Sequence, residues 1–511
     1  MNDPAPSSQP SHAAESPQHG PSIARSTLIN VAGALLPAGL LLVTVPLYLH
    51  RIGEARYGVL AIVWLLLGYF AVFDLGFGRA VANRMATLYN AQPAERQQVF
   101  WTGLLISVAT GLMGGLLLYL MGDWLFASVF SAPPMLRLEV EQAMPWLLLA
   151  LPLIIVISLL AGALEGRQAF LALNVGQMAG TLGYQIFPLV VAYSGKVSLA
   201  YLIPAAIAGR FLSAIVLFYG CYRSVPLTLR PSVSGKLIKP LLGYGGWITV
   251  TGVVGPLLTV FDRFLIAAKL GVIAVTSYTV PYNLVLYFSV LPASLQTALF
   301  PRFAMVEQAS AKQLLRQATL TIAAILTPVI AMAEFLIKPF LLLWIGQPLA
   351  SHAAPVGQIL LLGIWVNSLA FVPFSYLQAS GRPDIPAKLH VLELVPFVLL
   401  LWVLIVQFGV VGAAWAWVIR VLADALLLFW FARGMDILRD MLFGSLLLLA
   451  SFVSVWYLPM SLGIPYAVLT FVLVVAVGLW CYRIAPRELT DVVGNFEHRV
   501  KNYLSKECKK A

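Results

Sequence analysis

Long apolar runs of about 20 residues recur along the chain and alternate with short polar segments that carry most of its charge. An α-helix needs about 20 apolar residues to cross a bilayer, whereas a transmembrane strand is about ten residues long and alternates. The pattern therefore predicts an all-α polytopic membrane protein with fourteen spans. The predicted spans are 28–49, 59–77, 100–121, 144–164, 170–193, 199–222, 242–268, 277–300, 318–337, 355–377, 385–406, 410–431, 441–458 and 465–482.

The composition excludes a soluble protein, because only 10% of the residues are charged and 60% are hydrophobic. Soluble domains carry about 25% charged residues, and disordered chains are poor in apolar side chains. The net charge of +11 is therefore no indication of a nucleic-acid partner. Residues 1–22, with five Pro, five Ser and no apolar run, predict a disordered tail. The first apolar run, from Leu28, lacks a small-residue cleavage site and is expected to be a retained span.

The basic residues determine the predicted orientation. With the amino terminus inside, the inner segments hold 23 Lys and Arg, and the outer loops hold six. Because cytoplasmic loops carry the excess of Lys and Arg, both termini are predicted to be cytoplasmic. Cys221, Cys481 and Cys508 then face the reducing side, so no disulfide is expected. Residues 486–504 predict an amphipathic helix on the inner surface, with membrane lipids as partners, and a solvated tail is the alternative.

The two halves of the chain resemble each other. A numbering shift of 218 places Arg-Ile-Gly at 51–53 on Lys-Leu-Gly at 269–271, and a shift of 215 places Gly166-Arg167 on Gly381-Arg382. A duplication of six spans gives two pseudo-symmetric lobes of the same orientation, which is a transporter layout. The predicted divisions are a cytoplasmic tail 1–24, an N-lobe 25–222, a linker 223–241, a C-lobe 242–432, two further spans in 433–483, and a basic tail 484–511.

The sequence lacks the motifs of common enzyme classes. No phosphate-binding loop is present, because Gly195-Lys196 and Gly235-Lys236 are followed by Val and Leu. The six histidines are dispersed, so neither a metal nor another cofactor is expected. The longest outer loop, 122–143, is shorter than a glycan polymerase or ligase is expected to need. A transporter is therefore favoured over an enzyme.

Three arginines lie within predicted spans. Arg210 has no acidic residue in its own helix. Arg263 follows Asp262, but adjacent side chains on a helix point about 100° apart, so each is expected to need another partner. Arg420 has Asp424 one turn later, at a spacing that allows an ion pair. Arg210 and Arg420 lie 11 and 10 residues into spans six and twelve, about 15–16 Å deep at 1.5 Å per residue, which is the bilayer midplane.

Two glutamates within spans have simpler expected partners. Glu334 precedes Lys338 by one turn, and the two are expected to reach the outer interface as a pair. Glu393 is expected to pair near the inner interface with His390 or Lys388, and a role as a titrating group is the alternative.

Five local patterns follow one another along the chain: Arg-Ile-Gly-x-x-Arg-Tyr-Gly at 51–58, Phe-Asp-Leu-Gly-Phe-Gly at 73–78, Phe-Asp-Arg-Phe-Leu-Ile at 261–266, Tyr-Thr-Val-Pro-Tyr at 278–282, and Gly-Arg-Pro at 381–383. In this order, they resemble the Wzx-type lipid-linked oligosaccharide flippases. These belong to the polysaccharide transporter family of the multidrug/oligosaccharidyl-lipid/polysaccharide exporter superfamily.

The resemblance extends over about residues 25–485 and implies a fourteen-helix, two-lobed transporter of the bacterial inner membrane. Such proteins flip undecaprenyl-pyrophosphate-linked sugar units for O-antigen, capsule or exopolysaccharide assembly. The resemblance implies alternating access, coupling to H⁺ or Na⁺, and a glycan polymerase and chain-length machinery as partners. A multidrug exporter of the same superfamily is the first alternative, and a membrane glycan polymerase or ligase is the second.

On this interpretation, the charged residues of the spans have predicted roles. Arg210 and Arg420 are predicted to hold the pyrophosphate, one from each lobe, with Arg263 as an outer contact. Asp424 is predicted to hold Arg420 while the site is empty. The alternative is that both arginines only tie helices together. Asp262 is predicted to be the coupling or gating carboxylate, and the alternative is a fixed salt bridge between the lobes.

Three further positions are predicted to serve conformational change. Pro37 in span one falls on Gly255 under the 218 shift, and Gly255 is followed by Pro256. Because proline removes a backbone hydrogen bond, these residues are predicted to be hinges, and static kinks are the alternative. Asp74, close to Arg79, is predicted to form either a salt bridge at a helix end or part of an inner gate.

Overall fold

The computed structural model describes residues 23–69, 77–88, 92–124, 133–225, 231–238, 258, 261–305, 307–457 and 464–486. All regular secondary structure in these residues is helical. In chain order, the helices are α1 Ile23–Tyr69, α2 Phe77–Thr87, α3 Pro93–Trp124, α4 Pro134–Gly166, α5 Phe170–Tyr193, α6 Leu199–Ser224, α7 261–270, α8 Val272–Leu286, α9 Val290–Met305, α10 Gln308–Ile345, α11 Gln347–Ala379, α12 Asp384–Phe431, α13 Met435–Tyr457 and α14 Ile464–Ile484.

Helical residues are present in each of the fourteen predicted spans, of which the second is described over 59–69 and 77 and the seventh essentially from 261 onward. α1 contains the first predicted span and the start of the second, and α12 contains the eleventh and twelfth; the backbone between the spans is not helical at Gly53 and Gly409. Within the described residues, eight helical stretches are long and apolar enough to cross a membrane. The predicted all-α polytopic architecture is confirmed.

The two halves turn at matching positions. Gly53 (φ 79°, ψ 166°) lies between spans one and two, and Gly271 (φ 87°, ψ 173°) lies at the equivalent place between spans seven and eight. Gly195 (φ 95°) and Gly409 (φ 62°) occupy the turns before spans six and twelve. A positive φ costs little free energy only for glycine, and both halves place a glycine at the equivalent turns. This agreement supports the internal duplication.

One part of the predicted repeat alignment is wrong. Gly166 is the last residue of α4, and the left-handed residue after that helix is Gln168 (φ 57°), whereas after α11 it is Gly381 (φ 75°). Each turn is closed by the same bond, from Ala169 N–H to the Leu164 carbonyl and from Arg382 N–H to the Leu377 carbonyl. The offset at this turn is therefore 213 rather than 215.

Small residues bring α5 and α6 into close contact. A Cβ added to Gly209 would lie 2.2 Å from the carbonyl carbon of Gly183. One helical turn away, the hydroxyl of Ser213 donates to the Gly176 carbonyl at 2.8 Å. Helices in a bilayer associate through such close packing, because lipid tails provide no hydrophobic drive between them. The contact fixes the position of the next residue, Arg210, relative to α5.

Part of the predicted linker lies on the N-lobe. The Ser234 N–H donates to the hydroxyl of Thr102 in α3 at 3.0 Å. Leu237 and Ile238 pack against a buried apolar cluster formed by α2, α3, α4 and α6. Residues 231–238 therefore pack against the N-lobe and do not form an unattached linker between the lobes.

The lobes meet where α1 passes α8, on the predicted outer face. The Thr276 hydroxyl donates to the Glu54 carbonyl at 2.8 Å. A Cβ added to Gly58 would lie 2.0 Å from the Val272 carbonyl oxygen and 2.8 Å from the Thr276 hydroxyl. The 218 shift relates Gly58 to Thr276 and Glu54 to Val272. Repeat-related residues thus touch each other across the pseudo-symmetry axis, with backbone against backbone.

A second tie on the predicted outer face lies within the N-lobe. Arg56 donates to Glu139 of α4, with 2.6 Å between Nη2 and Oε1. The other carboxylate oxygen accepts from the Leu199 N–H at the start of α6, at 2.9 Å. Burial alone would raise the pKa of Glu139, but the hydrogen bonds from Arg56 and Leu199 outweigh it and hold the pKa below its ordinary value.

Glu139→Gln is expected to destabilise the protein at neutral pH by about 1–2 kcal/mol, because charge-assisted hydrogen bonds are lost. Since the folded pKa of Glu139 is lowered, its contribution is present above the ordinary range of Glu, about 4.3, and is lost as the pH falls through the folded value. Thermal unfolding in detergent at about pH 7 and about pH 3 tests this. The control is Glu141→Gln on the exposed side of the same helix. An equal loss at both pH values would contradict the assignment.

Several predicted features fall outside the described residues: the tail 1–22, Asp74, Gly255, Pro256, Cys508 and most of the segment 486–504. Pro37 lies within α1, whose only non-helical residue is Gly53, so the dihedral angles do not mark it as a break. The hinge hypothesis stays a prediction. Cys221 and Cys481 are buried free thiols.

Candidate functional site

Arg210 lies over an aromatic ring in the N-lobe. Its guanidinium carbon is 4.2 Å from the centroid of the Tyr184 ring, and its Nε makes no hydrogen bond with the described residues. The Tyr184 hydroxyl donates to the Trp64 carbonyl at 3.2 Å, and the two rings lie 5.7 Å apart. Tyr48 and Tyr57 complete this aromatic cluster against Trp64. The guanidinium is thus positioned against one neutral residue, Tyr184, at a cation–π distance from its ring.

Asp262 and Arg263 pair with each other, and the prediction that they could not is wrong. Arg263 Nη1 lies 2.9 Å from one carboxylate oxygen of Asp262 and 3.2 Å from the other. The Tyr278 hydroxyl donates to the same carboxylate at 2.7 Å. Although the two Cα–Cβ bonds diverge on the helix, the long arginine side chain can bend back to its neighbour. Asp262 is fully buried and well satisfied, and the coupling role predicted for it stays a prediction.

The C-lobe also has an arginine over aromatic rings. The Arg263 guanidinium carbon lies 3.8 Å from the Tyr282 centroid, and the Tyr282 ring meets Trp417 edge-on at 5.9 Å. The 218 shift relates Trp64 to Tyr282, so both lobes place an aromatic residue at the same repeat position beside an arginine site. The sequence interpretation missed these rings. Applying the 218 shift to aromatic positions would have found this pair.

Arg420 pairs across the bend of α12 rather than along one helix. Its Nη1 lies 3.5 Å from an oxygen of Glu393, while Asp424 lies 3.8 Å from His390 Nε2. The prediction that Asp424 holds Arg420 is therefore wrong. The expected partner Lys388 forms its ion pair with another acid, Asp384, at 2.8 Å.

Glu334 and Lys338 do not form the predicted pair. Glu334 is completely buried in α10, and neither carboxylate oxygen has a hydrogen-bond partner in the described residues. Lys338, one turn later, is exposed. Glu334 lies on the same face of α10 as the buried residues Ile330 and Ile337. Glu334 is therefore buried because that face of the helix points into the protein, and the spacing to Lys338 does not alter this.

The three arginines of the predicted spans thus lie in three different environments. Arg210 faces Tyr184, Arg263 is held by Asp262, and Arg420 is held at a longer distance by Glu393. A buried or half-buried guanidinium is costly unless water, a carboxylate or an anionic ligand surrounds it. Of the three, Arg210 is the arginine best prepared for an external anion, since its described contact is a neutral ring.

Comparison with known proteins identifies the family. A family described as "Polysaccharide biosynthesis protein" matches residues 51–353. A Shigella flexneri protein described as "Putative O-antigen transporter" is 29% identical over 416 residues, which cover 80% of this chain and 97% of that protein.

Solved structures of low sequence identity share the fold. The lipid II flippase MurJ, in an inward closed conformation, superposes with a TM-score of 0.71 at 14% identity, over 91% of this chain and 100% of that one. An inward-facing multidrug resistance MATE family transporter of the MOP superfamily gives a TM-score of 0.66 at 14% identity, over 80% and 98% of the two chains.

Proposed function

The chain belongs to the polysaccharide biosynthesis protein family, and on that premise we propose that it flips lipid-linked oligosaccharides across the bacterial inner membrane. The S. flexneri relative described as "Putative O-antigen transporter" supports a transporter rather than an enzyme. The observation that carries the proposal is Arg210, a cation in the middle of a predicted span whose described contact is the face of Tyr184. Such a group suits an anionic head group that must pass the bilayer midplane.

The proposed substrate has two chemical parts that match the two kinds of side chain. Phosphate oxygens fit the planar fork of a guanidinium, so Arg210 would bind the pyrophosphate, with Arg420 and Arg263 contributing from the C-lobe once their acidic partners are displaced. A half-buried aromatic ring such as Trp64 offers a broad, rigid surface to the sugars. The undecaprenyl chain would stay in the bilayer.

Transport would proceed by alternating access between the N-lobe 25–222 and the C-lobe 242–432, with both termini in the cytoplasm. The close contact of Gly58 with Val272 supports a closed outer face in this conformation. Pro37 and Pro256 remain the proposed hinges, and Asp74 a proposed part of the inner gate. Proton or sodium coupling, and partnership with a glycan polymerase and chain-length machinery, belong to the same proposal.

A multidrug exporter is the second candidate, since a MATE transporter shares the fold. Cationic drugs would favour an acidic cavity, whereas Arg210, a cation within a predicted span, has no ion pair among the described residues. A polymerase or ligase has no supporting observation.

Deletion of the gene in its host tests the function. We expect loss of the surface glycan and accumulation of the lipid-linked oligosaccharide on the cytoplasmic leaflet, measured in spheroplasts with a membrane-impermeant sugar-modifying reagent. Re-expression of the intact chain should restore both readouts. Normal surface glycan in the deletion strain, with no accumulated lipid-linked sugar, would contradict the proposal.

A further inference from the structure

Four ionisable side chains meet where the two halves of α12 run side by side. The helix reverses at Gly409, where φ is 62° and ψ is −138°. This reversal brings Glu393 within 3.5 Å of Arg420, and His390 within 3.8 Å of Asp424. We call these four residues the α12 cluster.

The α12 cluster is largely removed from solvent. The side chains of Glu393 and Arg420 are each 10% exposed, that of Asp424 is 8% exposed, and that of His390 is 26% exposed. Both oxygens of Glu393 and one of Asp424 lack a hydrogen-bond partner in the described residues. The described partners of the two carboxylates are therefore the ion pairs at 3.5 Å and 3.8 Å, which are longer than ordinary hydrogen bonds.

The charges of the α12 cluster do not balance. Two carboxylates and one guanidinium give a net charge of −1 when His390 is neutral. An uncompensated buried charge is expensive, and proteins commonly neutralise it by binding a proton. Uptake of one proton would bring the cluster to zero.

Within the part of the chain that the structure describes, no other charged side chain forms an ion pair with the α12 cluster and supplies the missing positive charge. From α11 the ring of Phe374 stacks on His390 at 5.9 Å, and from α8 Tyr282 contacts Trp417. The acids near the start of α13, Asp436 and Asp440, have their own partners on α10, Lys312 and Arg316.

A metal cation fits the α12 cluster poorly. Hard cations require several oxygen ligands, and the guanidinium of Arg420 already occupies the vicinity of Glu393. Among the described residues, no group of three or more His, Cys, Asp and Glu side chains could hold a metal ion.

We propose that His390, Glu393, Arg420 and Asp424 form a proton-binding site in the C-lobe. The proton enters from water at His390 Nε2 and comes to rest on an oxygen of Glu393 or Asp424, which changes the net charge from −1 to 0, and it leaves by the reverse steps. His390 is six residues from the start of α12, about 9 Å at 1.5 Å per residue, and Glu393 is nine residues in, about 14 Å. With the predicted topology, the proton entrance faces the cytoplasm.

The site also has a use in transport, and that use rests on the proposed function. In the deprotonated state Glu393 attracts Arg420 strongly, and protonation weakens this attraction. The guanidinium is then free to engage an anionic head group. Proton binding and substrate binding are thereby linked through one side chain.

Infrared difference spectroscopy of the purified protein in detergent tests proton binding without any substrate. Between about pH 8 and about pH 5, the intact chain should gain the carbonyl stretch of a protonated carboxylic acid in a buried setting. Glu393→Gln or Asp424→Asn should remove the titrating band, and either variant suffices if the other does not fold. Asp440→Asn, in an exposed ion pair with Arg316, should retain it. Retention of the full titrating band in both cluster variants would overturn the proposal.

The coupling role has its own readout. In proteoliposomes, a pH gradient that is acidic on the side where the lipid-linked oligosaccharide starts should accelerate flipping by the intact chain, because proton binding there frees Arg420 for the head group. The ratio of rates with and without this gradient should fall to one in Glu393→Gln. A gradient effect that is unchanged in this variant would overturn the coupling role. If the intact chain flips no lipid-linked oligosaccharide at all, the proposed function fails, while the infrared result still decides the proton site.

Discussion

Gly58→Ala should abolish glycan export, whereas Gly39→Ala in the same helix should leave it unchanged. A Cβ on Gly58 would lie 2.0 Å from a backbone oxygen of Val272 and 2.8 Å from the Thr276 hydroxyl. Backbone on α8 cannot move aside as a flexible side chain would, so α1 and α8 have to separate. A Cβ on Gly39 meets nothing within 4 Å.

The size of the effect follows from the cost of overpacking. Forcing an extra carbon into a tight contact costs about 1–3 kcal/mol, which shifts a two-state equilibrium by roughly five- to 150-fold at 1.4 kcal/mol per tenfold. Under the proposed alternating access, this contact would form only while the predicted outer face is closed, so the variant should accumulate with that face open.

Labelling tests this shift separately from export. Thr276 is fully buried at the contact. A cysteine introduced by Thr276→Cys should react with a membrane-impermeant maleimide faster in the Gly58→Ala background than in the Gly39→Ala background. Equal labelling in both, with normal export by Gly58→Ala, would show that this contact does not gate transport.

Arg210→Lys should lose most glycan export, and Arg210→Ala should lose all of it. A lysine keeps the charge but loses the planar fork that can donate two parallel hydrogen bonds to phosphate oxygens and stack on Tyr184. Loss of one charge-assisted hydrogen bond costs about 1.5–3 kcal/mol, or roughly a ten- to 150-fold weaker interaction.

Arg223 supplies the matched control for Arg210. It lies on the same helix, and its guanidinium carbon is 5.3 Å from the Tyr219 ring, but it is exposed at the end of the predicted span. Arg223→Lys and Arg223→Ala should therefore preserve export. Full export by Arg210→Ala at the wild-type protein level would exclude Arg210 as a substrate ligand.

The spans could be predicted from the sequence because a helix in a bilayer must satisfy its own backbone and present apolar side chains along its whole length. Some of the turns between spans could also be predicted from the sequence. Gly53 and Gly271 stand at equivalent places because both turns need a left-handed residue. At the turn after span four the left-handed residue is Gln168, not a glycine, so matching by residue type gave an offset two residues too large.

The partners of the buried charges could not be predicted in the same way. The spacing of four residues along one helix favoured an ion pair between Arg420 and Asp424. The reversal of α12 at Gly409 instead brings Glu393, from the other half of the helix, beside Arg420. Adjacent side chains on a helix point about 100° apart, which spoke against an ion pair between Asp262 and Arg263. The flexible arginine side chain nevertheless bends back to its neighbour. Both outcomes depend on helix rotation and side-chain reach, which periodicity does not encode.

Flipping by the purified chain is the most direct test of the proposed flippase activity. The chain would be reconstituted into proteoliposomes containing a fluorescent polyprenyl-pyrophosphate oligosaccharide from its own pathway, and the fraction of sugar accessible to an external membrane-impermeant reagent would be followed over time. We predict that the intact chain makes sugar from the inner leaflet accessible, that Arg223→Ala does the same, and that Arg210→Ala matches protein-free vesicles. Accessibility no faster with the intact chain than in protein-free vesicles would contradict a flippase.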